Sequence, residues 1–226
     1  FFKQKTAYEI MPSLVGSEMC IRDSLRPLEF GVDLVMHSTT KYITGHSQLI
    51  GGIIITNRDD LANKLRFAQK TIGAIPSPID CWLTLLGVKT LDVRMKKHEE
   101  NAIKVAEFLE NHSKVSSLTY PGLPSHPMHH VAKEQMSGFS GMISLELKGG
   151  IPAGEKFLNS VKLALLAESL GSVETMVLHP ASMTHGDVPK EFRLSRGFSD
   201  GLVRISVGIE NVDDIISDFK QALDKV

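Results

Sequence analysis

Cysteine is nearly absent from this chain. Only two of its 226 residues are cysteine, Cys20 and Cys81. That excludes a disulfide framework and suits a reducing compartment such as the cytoplasm. Cys81 has no base motif beside it, so it reads as a core thiol rather than a nucleophile. Long apolar runs are missing too: none approaches the roughly 18 residues of a membrane-spanning helix. No sign of charge dominates either, with 25 Lys and Arg against 26 Asp and Glu and a net charge of −1. A nucleic-acid partner or an anionic membrane surface is therefore not expected. Internal repeats, low-complexity tracts and charge blocks are lacking. What remains has the length for one or two globular domains with an ample core.

Residues 1–24, FFKQKTAYEIMPSLVGSEMCIRDS, carry no charged n-region, long apolar run or small-residue cleavage site, so they are not a secretory signal. They also keep no helical or strand period. They resemble a translated sequencing-adapter read-through, and fold reasoning starts at Leu25.

The most informative stretch is HSTTKYITGHS, residues 37–47. An apolar run, Leu34-Val35-Met36, ends in Ser38, Thr39 and Thr40, then Lys41, and later the pair Gly51-Gly52. A short buried strand that breaks into a hydroxyl-rich turn can offer Oγ donors and backbone N–H groups to a phosphate. A lysine partly shielded from water loses some preference for its charged form and becomes a usable amine nucleophile. Phosphate donors beside an amine that can condense with an aldehyde suggest pyridoxal 5'-phosphate (PLP). On these residues alone, a surface lysine in a Ser/Thr loop remains an open alternative.

Val32 to His37 and Gly52 to Thr56 read as short buried strands. Asn57-Arg58-Asp59-Asp60 reads as a turn and helix start, with Leu61, Leu65 and Phe67 making apolar contacts. Pro76 and Pro78 precede a long helical stretch that is expected to break near Gly87, with Ile103, Ala106, Phe108 and Leu109 as its apolar stripe. Beyond residue 112, strands are expected at Val115–Tyr120, Gly141–Leu147, Glu174–His179 and Val203–Ile209, with helices near 128–136 and 153–161. A last helix follows Asn211, its apolar face made by Val212, Ile215, Ile216, Phe219 and Leu223. That texture suggests a small α+β domain with a mostly antiparallel sheet. Arg204 lies among apolar strand residues, where a buried guanidinium needs an anionic partner. Its planar fork suits a carboxylate, with an internal salt bridge as the alternative. Of the nine histidines, His126, His129 and His130 cluster in a Pro-rich turn without matching carboxylate or cysteine spacing, so no metal site is expected.

The segments LRPLEFGVDLVMHSTTKYITGHS (25–47), GAIPSPIDCWLTLLGVKTLDVRM (73–95), YPGLPSHPMHHVAKEQMSGFSGMISLELKGG (120–150), LAESLGSVETMVLHPASMTH (166–185) and GFSDGLVRISVGIENVDD (197–214) resemble, in order, the Cys/Met-metabolism family of PLP enzymes. That family includes cystathionine γ-lyase and cystathionine γ-synthase. The resemblance implies an α/β chain of PLP-dependent transferase fold type I. Residues 25–112 would be the rear part of a large PLP-binding domain with its connecting helices, and residues 113–226 a complete C-terminal α+β domain. It also implies a cytoplasmic homo-oligomer, a tetramer of the dimer-of-dimers type, acting on a small amino-acid substrate.

By the same resemblance, Lys41 corresponds to the lysine that binds PLP and then moves protons on the substrate. Ser38 and Thr40 correspond to phosphate-contacting hydroxyls. Arg204 and Ser169 correspond to residues at the substrate α-carboxylate. Glu168 corresponds to an acid that could attract the distal ammonium of cystathionine. The implied activity is cleavage of cystathionine to cysteine, 2-oxobutanoate and ammonia. The alternatives are a γ-synthase, which joins an activated homoserine to cysteine, and a non-catalytic fragment. Three positions depart from the pattern. Gly16 stands where the family pairs an aspartate with the pyridinium nitrogen, Gln48 replaces a common acid, and Leu86 replaces a frequent arginine. The ring-stacking aromatic, the glycine-rich part of the phosphate cup, and a Tyr and Arg lent by a neighbouring subunit have no counterpart.

Overall fold

Most of the apolar runs become strands, and the periodic segments become helices, in the computed structural model, which describes residues 25–226. The chain divides into two units, one ending at Leu91 and the other spanning Asp92–Val226.

In the first unit, β1 (Val35–Ser38) pairs antiparallel with β2 (Gly52–Ile55), from Val35 opposite Ile55 to Ser38 opposite Gly52. Helix α1 (Asp59–Ile72) starts with Asp59 and Asp60 at its positive end and stops at Gly73, whose φ of +78° suits a glycine C-cap. Helix α2 (Pro78–Lys89) opens with a reciprocal capping box between Ser77 and Asp80. Several expectations fail in this unit for one reason: an apolar run does not reveal whether anything covers it. Strand β2 is exposed along its length, with Ile54 at 50%. Phe67 is 73% exposed rather than packed. Cys81 is an exposed free thiol, not a core one.

The helical stretch breaks at Thr90, close to Gly87 as expected, with Thr90 N donating to Gly87 O. Gly87 itself is helical, and its missing side chain lets α2 approach a backbone turn: a Cβ at this position would lie 2.5 Å from Ile43 O and 2.6 Å from Thr44 Cα.

The second unit holds α3 (Leu91–Glu110, from its second residue on), β3 (Val115–Thr119), α4 (His129–Gln135), β4 (Met142–Leu147), α5 (Gly150–Leu158), β5 (Leu165–Leu166), β6 (Met176–Leu178), α6 (Lys190–Ser195), β7 (Leu202–Ser206) and α7 (Val212–Leu223). The sheet order is β3-β4-β7-β6-β5, antiparallel except between β5 and β6. This is the mostly antiparallel α+β arrangement anticipated. Alternate residues Ile143, Leu145, Leu147 and Val203, Ile205, Val207 turn to one core. Ala102, Val105, Ala106 and Leu109 of α3 close it, together with Phe157 of α5 and Ile215, Phe219, Ala222 and Leu223 of α7. Helix α3 thus shares the core of this unit, whereas the boundary implied by resemblance lies near the helix's far end. Strand β5 and helix α6 had no forecast. Two residues are too few to carry a period, and Leu163 to Ala167 read equally well as helix. No helix among the described residues is long and apolar enough to cross a membrane.

Candidate active site

Lys41 sits in a wide five-residue turn, Thr39–Ile43, directly after β1. The turn is not regular: Lys41 has φ −90° and ψ −137°, outside the helical region. Its frame is fixed from three sides. Thr39 N donates to Gly51 O at 2.9 Å, Thr44 Oγ1 donates back to Thr39 O at 2.8 Å, and Gly45 N donates to Lys41 O at 2.9 Å. Beneath lie Tyr42, Ile43 and Thr44, all buried. A Cβ at Gly51 would stand 2.6 Å from Thr39 Oγ1, so the glycine pair lets the β2 end close on the turn. The expected hydroxyl-rich turn is therefore present, with Lys41, Ser38 and Thr40 half-buried on it.

The two hydroxyls differ. Thr40 Oγ1 accepts from Gly51 N at 2.9 Å, and its own proton reaches Gly51 O only at 3.4 Å, a long bond that a better acceptor can replace. Ser38 leads into the turn and makes no side-chain cap bond to it. A primary amine on a kinked, anchored turn with two donor hydroxyls at its start is the donor set a phosphate-bearing aldehyde requires. The residues present fit PLP.

In the second unit, Arg204 lies in the middle of β7, opposite Ser144 of β4 and Leu178 of β6. The sequence suggested a buried guanidinium, yet Arg204 is half-buried. Strand alternation puts its side chain on the face opposite the apolar core. Nη2 donates to two backbone carbonyls, Ser169 O at 3.1 Å and Glu168 O at 3.3 Å. The structure therefore brings Arg204 to the main chain of Glu168 and Ser169. The Glu168 side chain is exposed. Two residues further on, Ser206 Oγ accepts from Gly171 N at 2.8 Å. Sequence reading passed over Ser206. Its signal was the period-2 alternation that puts it on the same face as Arg204.

The histidine cluster has structural contacts. His126 Nδ1 accepts from Met128 N, and His129 donates from Nδ1 to Pro121 O at 2.8 Å while stacking on Phe139. Among the described residues no three His, Cys, Asp or Glu side chains are grouped to hold a metal. The ring of His98 lies under the end of β7 with Nδ1 2.7 Å from Val207 O, and burial lowers its pKa to about 4.

A sequence profile of the family described as Cys/Met metabolism PLP-dependent enzyme matches residues 11–224, beginning before Leu25. The chain is 53% identical over 199 residues to a cystathionine gamma-lyase of Dictyostelium discoideum, covering 88% of this chain and 51% of that protein. It is 51% identical over 203 residues to an L-methionine gamma-lyase of Fusobacterium nucleatum subsp. polymorphum, covering 89% and 51%. A solved structure of a cystathionine gamma synthase from Xanthomonas oryzae pv. oryzae, in complex with aminoacrylate and cysteine, superposes with a TM-score of 0.86 at 44% identity, over 89% of this chain and 52% of that one. The fold is that of PLP-dependent fold type I, and the chain spans about half the length of the curated relatives it matches.

Proposed function

Since the chain belongs to the Cys/Met metabolism family of PLP-dependent enzymes, we propose that it supplies the lysine-bearing and carboxylate-binding part of a cystathionine γ-lyase, which cleaves cystathionine to cysteine, 2-oxobutanoate and ammonia. The observation that carries this reading is the Lys41 turn, an amine anchored by Thr39, Thr44 and Gly51 with Ser38 and Thr40 at its start. When bound, PLP supplies an electron sink for the charge left on the substrate carbon. Ser38 and Thr40 would hold its phosphate through their hydroxyls. The Lys41 amine would hold the cofactor and would take and return protons on the substrate carbons, work worth about 10²–10⁴ in rate. Arg204 and Ser169 receive the α-carboxylate, and Glu168, exposed beside them, attracts the distal ammonium of cystathionine. We include in this reading a cytoplasmic homo-tetramer assembled from dimers; the free thiol of Cys81 suits such a reducing compartment.

One observation favours a second reading, a γ-synthase: the solved relative at TM-score 0.86 is a cystathionine gamma synthase. A chimera separates the two. The first half of the Dictyostelium relative is joined to residues 25–226 of this chain and assayed with PLP. On our reading it releases 2-oxobutanoate from cystathionine, and Lys41→Ala removes both the release and the visible absorbance of the cofactor. The 226-residue chain by itself should release none above a free-PLP background. A folded chimera that makes cystathionine from an activated homoserine and cysteine, without cleaving it, would replace the lyase by the synthase.

A further inference from the structure

Ser206 is a buried polar residue to which none of the roles above falls. It is 1% exposed, lies two residues beyond Arg204 on β7, and therefore shares that strand face. Both side chains reach the same piece of main chain, the connection that leaves β5 and returns as β6. Arg204 Nη2 donates to the carbonyls of Glu168 and Ser169, and Ser206 Oγ accepts the N–H of Gly171 at 2.8 Å. Gly171 has φ +74°, which a side chain would strain, so the backbone turns sharply where the serine holds it. The start of the same connection, just past β5, is held separately by Ala167 N, which donates to Val177 O at 3.2 Å. Ahead of β5, the buried Asp218 carboxylate fixes the approach by accepting from Lys162 N at 2.7 Å, Leu163 N at 2.9 Å and Ala164 N at 3.0 Å. The segment that carries Glu168 and Ser169 is thus a strap fixed at both ends, and Ser206 is the fixture nearest Arg204.

We propose that Ser206 is a positioning residue for carboxylate recognition: by holding Gly171 it sets the two carbonyls that orient the Arg204 guanidinium. The inference rests on the assignment of Arg204 to the substrate carboxylate. Loss of the Ser206 hydroxyl frees the Gly171 end of the strap. The carbonyls of Glu168 and Ser169 then move relative to Nη2, and the guanidinium loses its fixed direction. Substrate is bound less well, while the groups that move protons are untouched.

The first test uses the 226-residue chain and amide hydrogen exchange. Ser206→Ala should speed exchange at Gly171 about tenfold while the amides of β4 and β7 keep their protection. Ser206→Thr, which retains the acceptor oxygen, should bring Gly171 back to within about threefold of the parent. If alanine or threonine destroys the β7 protection, Ser206→Cys, close in size but a poor acceptor, takes the place of alanine. The second test uses the chimera. Ser206→Ala should raise KM for cystathionine about tenfold, with kcat within about twofold and the cofactor absorbance unchanged. A serine with a purely structural role would instead lower the yield of folded enzyme and leave KM alone. Unchanged Gly171 exchange overturns the proposal, as does an unchanged KM alongside a loosened Gly171. A wild-type chimera that binds PLP but has no activity overturns the γ-lyase reading instead, and Gly171 exchange then decides the role of Ser206.

Discussion

Helices α1 and α7 begin alike, each with two aspartates in its first turn and an amphipathic sequence, yet α1 buries none of its 14 residues and α7 buries six of 12. The difference lies in what each helix meets. Helix α7 lies in the same core as β4 and β7, with Phe219 5.7 Å from Phe157, ring centre to ring centre. In the first unit, Phe67, Ile72, Ile75, Trp82 and Leu85 are all more than half exposed. Local signals make a helix in both places, but burial of an apolar face is what makes it stable. The two units therefore carry different things: the first holds the lysine on a well-framed turn amid uncovered apolar surface, and the second holds the arginine on a sheet with a closed core.

Core truncation should separate the units most sharply. Phe219→Ala removes a fully buried ring and should lower the unfolding free energy of the second unit by about 3–5 kcal/mol. Phe67→Ala, at an exposed ring, should stay within about 0.5 kcal/mol. Urea denaturation followed on the Ile143 and Ile205 methyl resonances, and separately on the fluorescence of Trp82, reads both. A Phe67→Ala loss above about 2 kcal/mol would mean that this face is covered in solution, and the contrast between the units would fail.

Acid should produce the next largest difference. In the second unit, His98 is held neutral, its pKa lowered by burial from 6.5 to about 4. Between those values the unfolded chain binds a proton that the folded chain does not, so stability rises with pH across that window. It is complete above 6.5 and falls away as the pH drops towards 4, by on the order of 3 kcal/mol in all. Glu99, raised mainly by burial, works in the opposite sense. Among the described residues of the first unit the shifted groups are Arg58, raised, and Asp60, lowered by its hydrogen bonds to Arg58; both are solvent-exposed and contribute little. Unfolding measured at pH 6.5 and 4.5 should show the second unit losing stability, and His98→Gln should flatten that dependence. A slope unchanged in His98→Gln would assign it to other groups.

How far the sequence could be read follows the same division. In the second unit the pattern of apolar residues is a record of burial, so strands could be placed at Gly141–Leu147 and Val203–Ile209, close to the observed 142–147 and 202–206, and the last helix with its inward face named. Short pieces without a period, β5 and α6, could not. In the first unit, Ile53-Ile54-Ile55 has the β-branched composition of an inner strand and lies exposed, because composition fixes a strand's conformation but not its cover. The Lys41 turn was legible from its hydroxyls and glycines. Its kinked backbone was not, since the bonds of Thr39 to Gly51 and Thr44 that hold it span a loop. The pairing of Arg204 with the carbonyls of Glu168 and Ser169 joins residues about 35 apart, a contact no local pattern encodes.

The smallest effect is the finest probe, because it changes one hydrogen bond at a comparable place in each unit. Asn211 caps α7 by accepting Asp213 N at 2.9 Å, and Ser77 caps α2 by accepting Asp80 N at 3.2 Å. Either substitution by alanine removes a capping bond worth about 1 kcal/mol. Helix α7 is part of the cooperative core, so Asn211→Ala should shift the transition seen at Ile205 by that amount. Helix α2 buries only Gly87, so Ser77→Ala should fray residues 78–81 and alter Trp82 fluorescence while the Ile205 transition stays within about 0.3 kcal/mol of the parent, the additivity limit for independent sites. Equal shifts at Ile205 from both substitutions would show that the two units unfold as one, and the separation between a locally specified region and a cooperatively stabilised one would have to be abandoned.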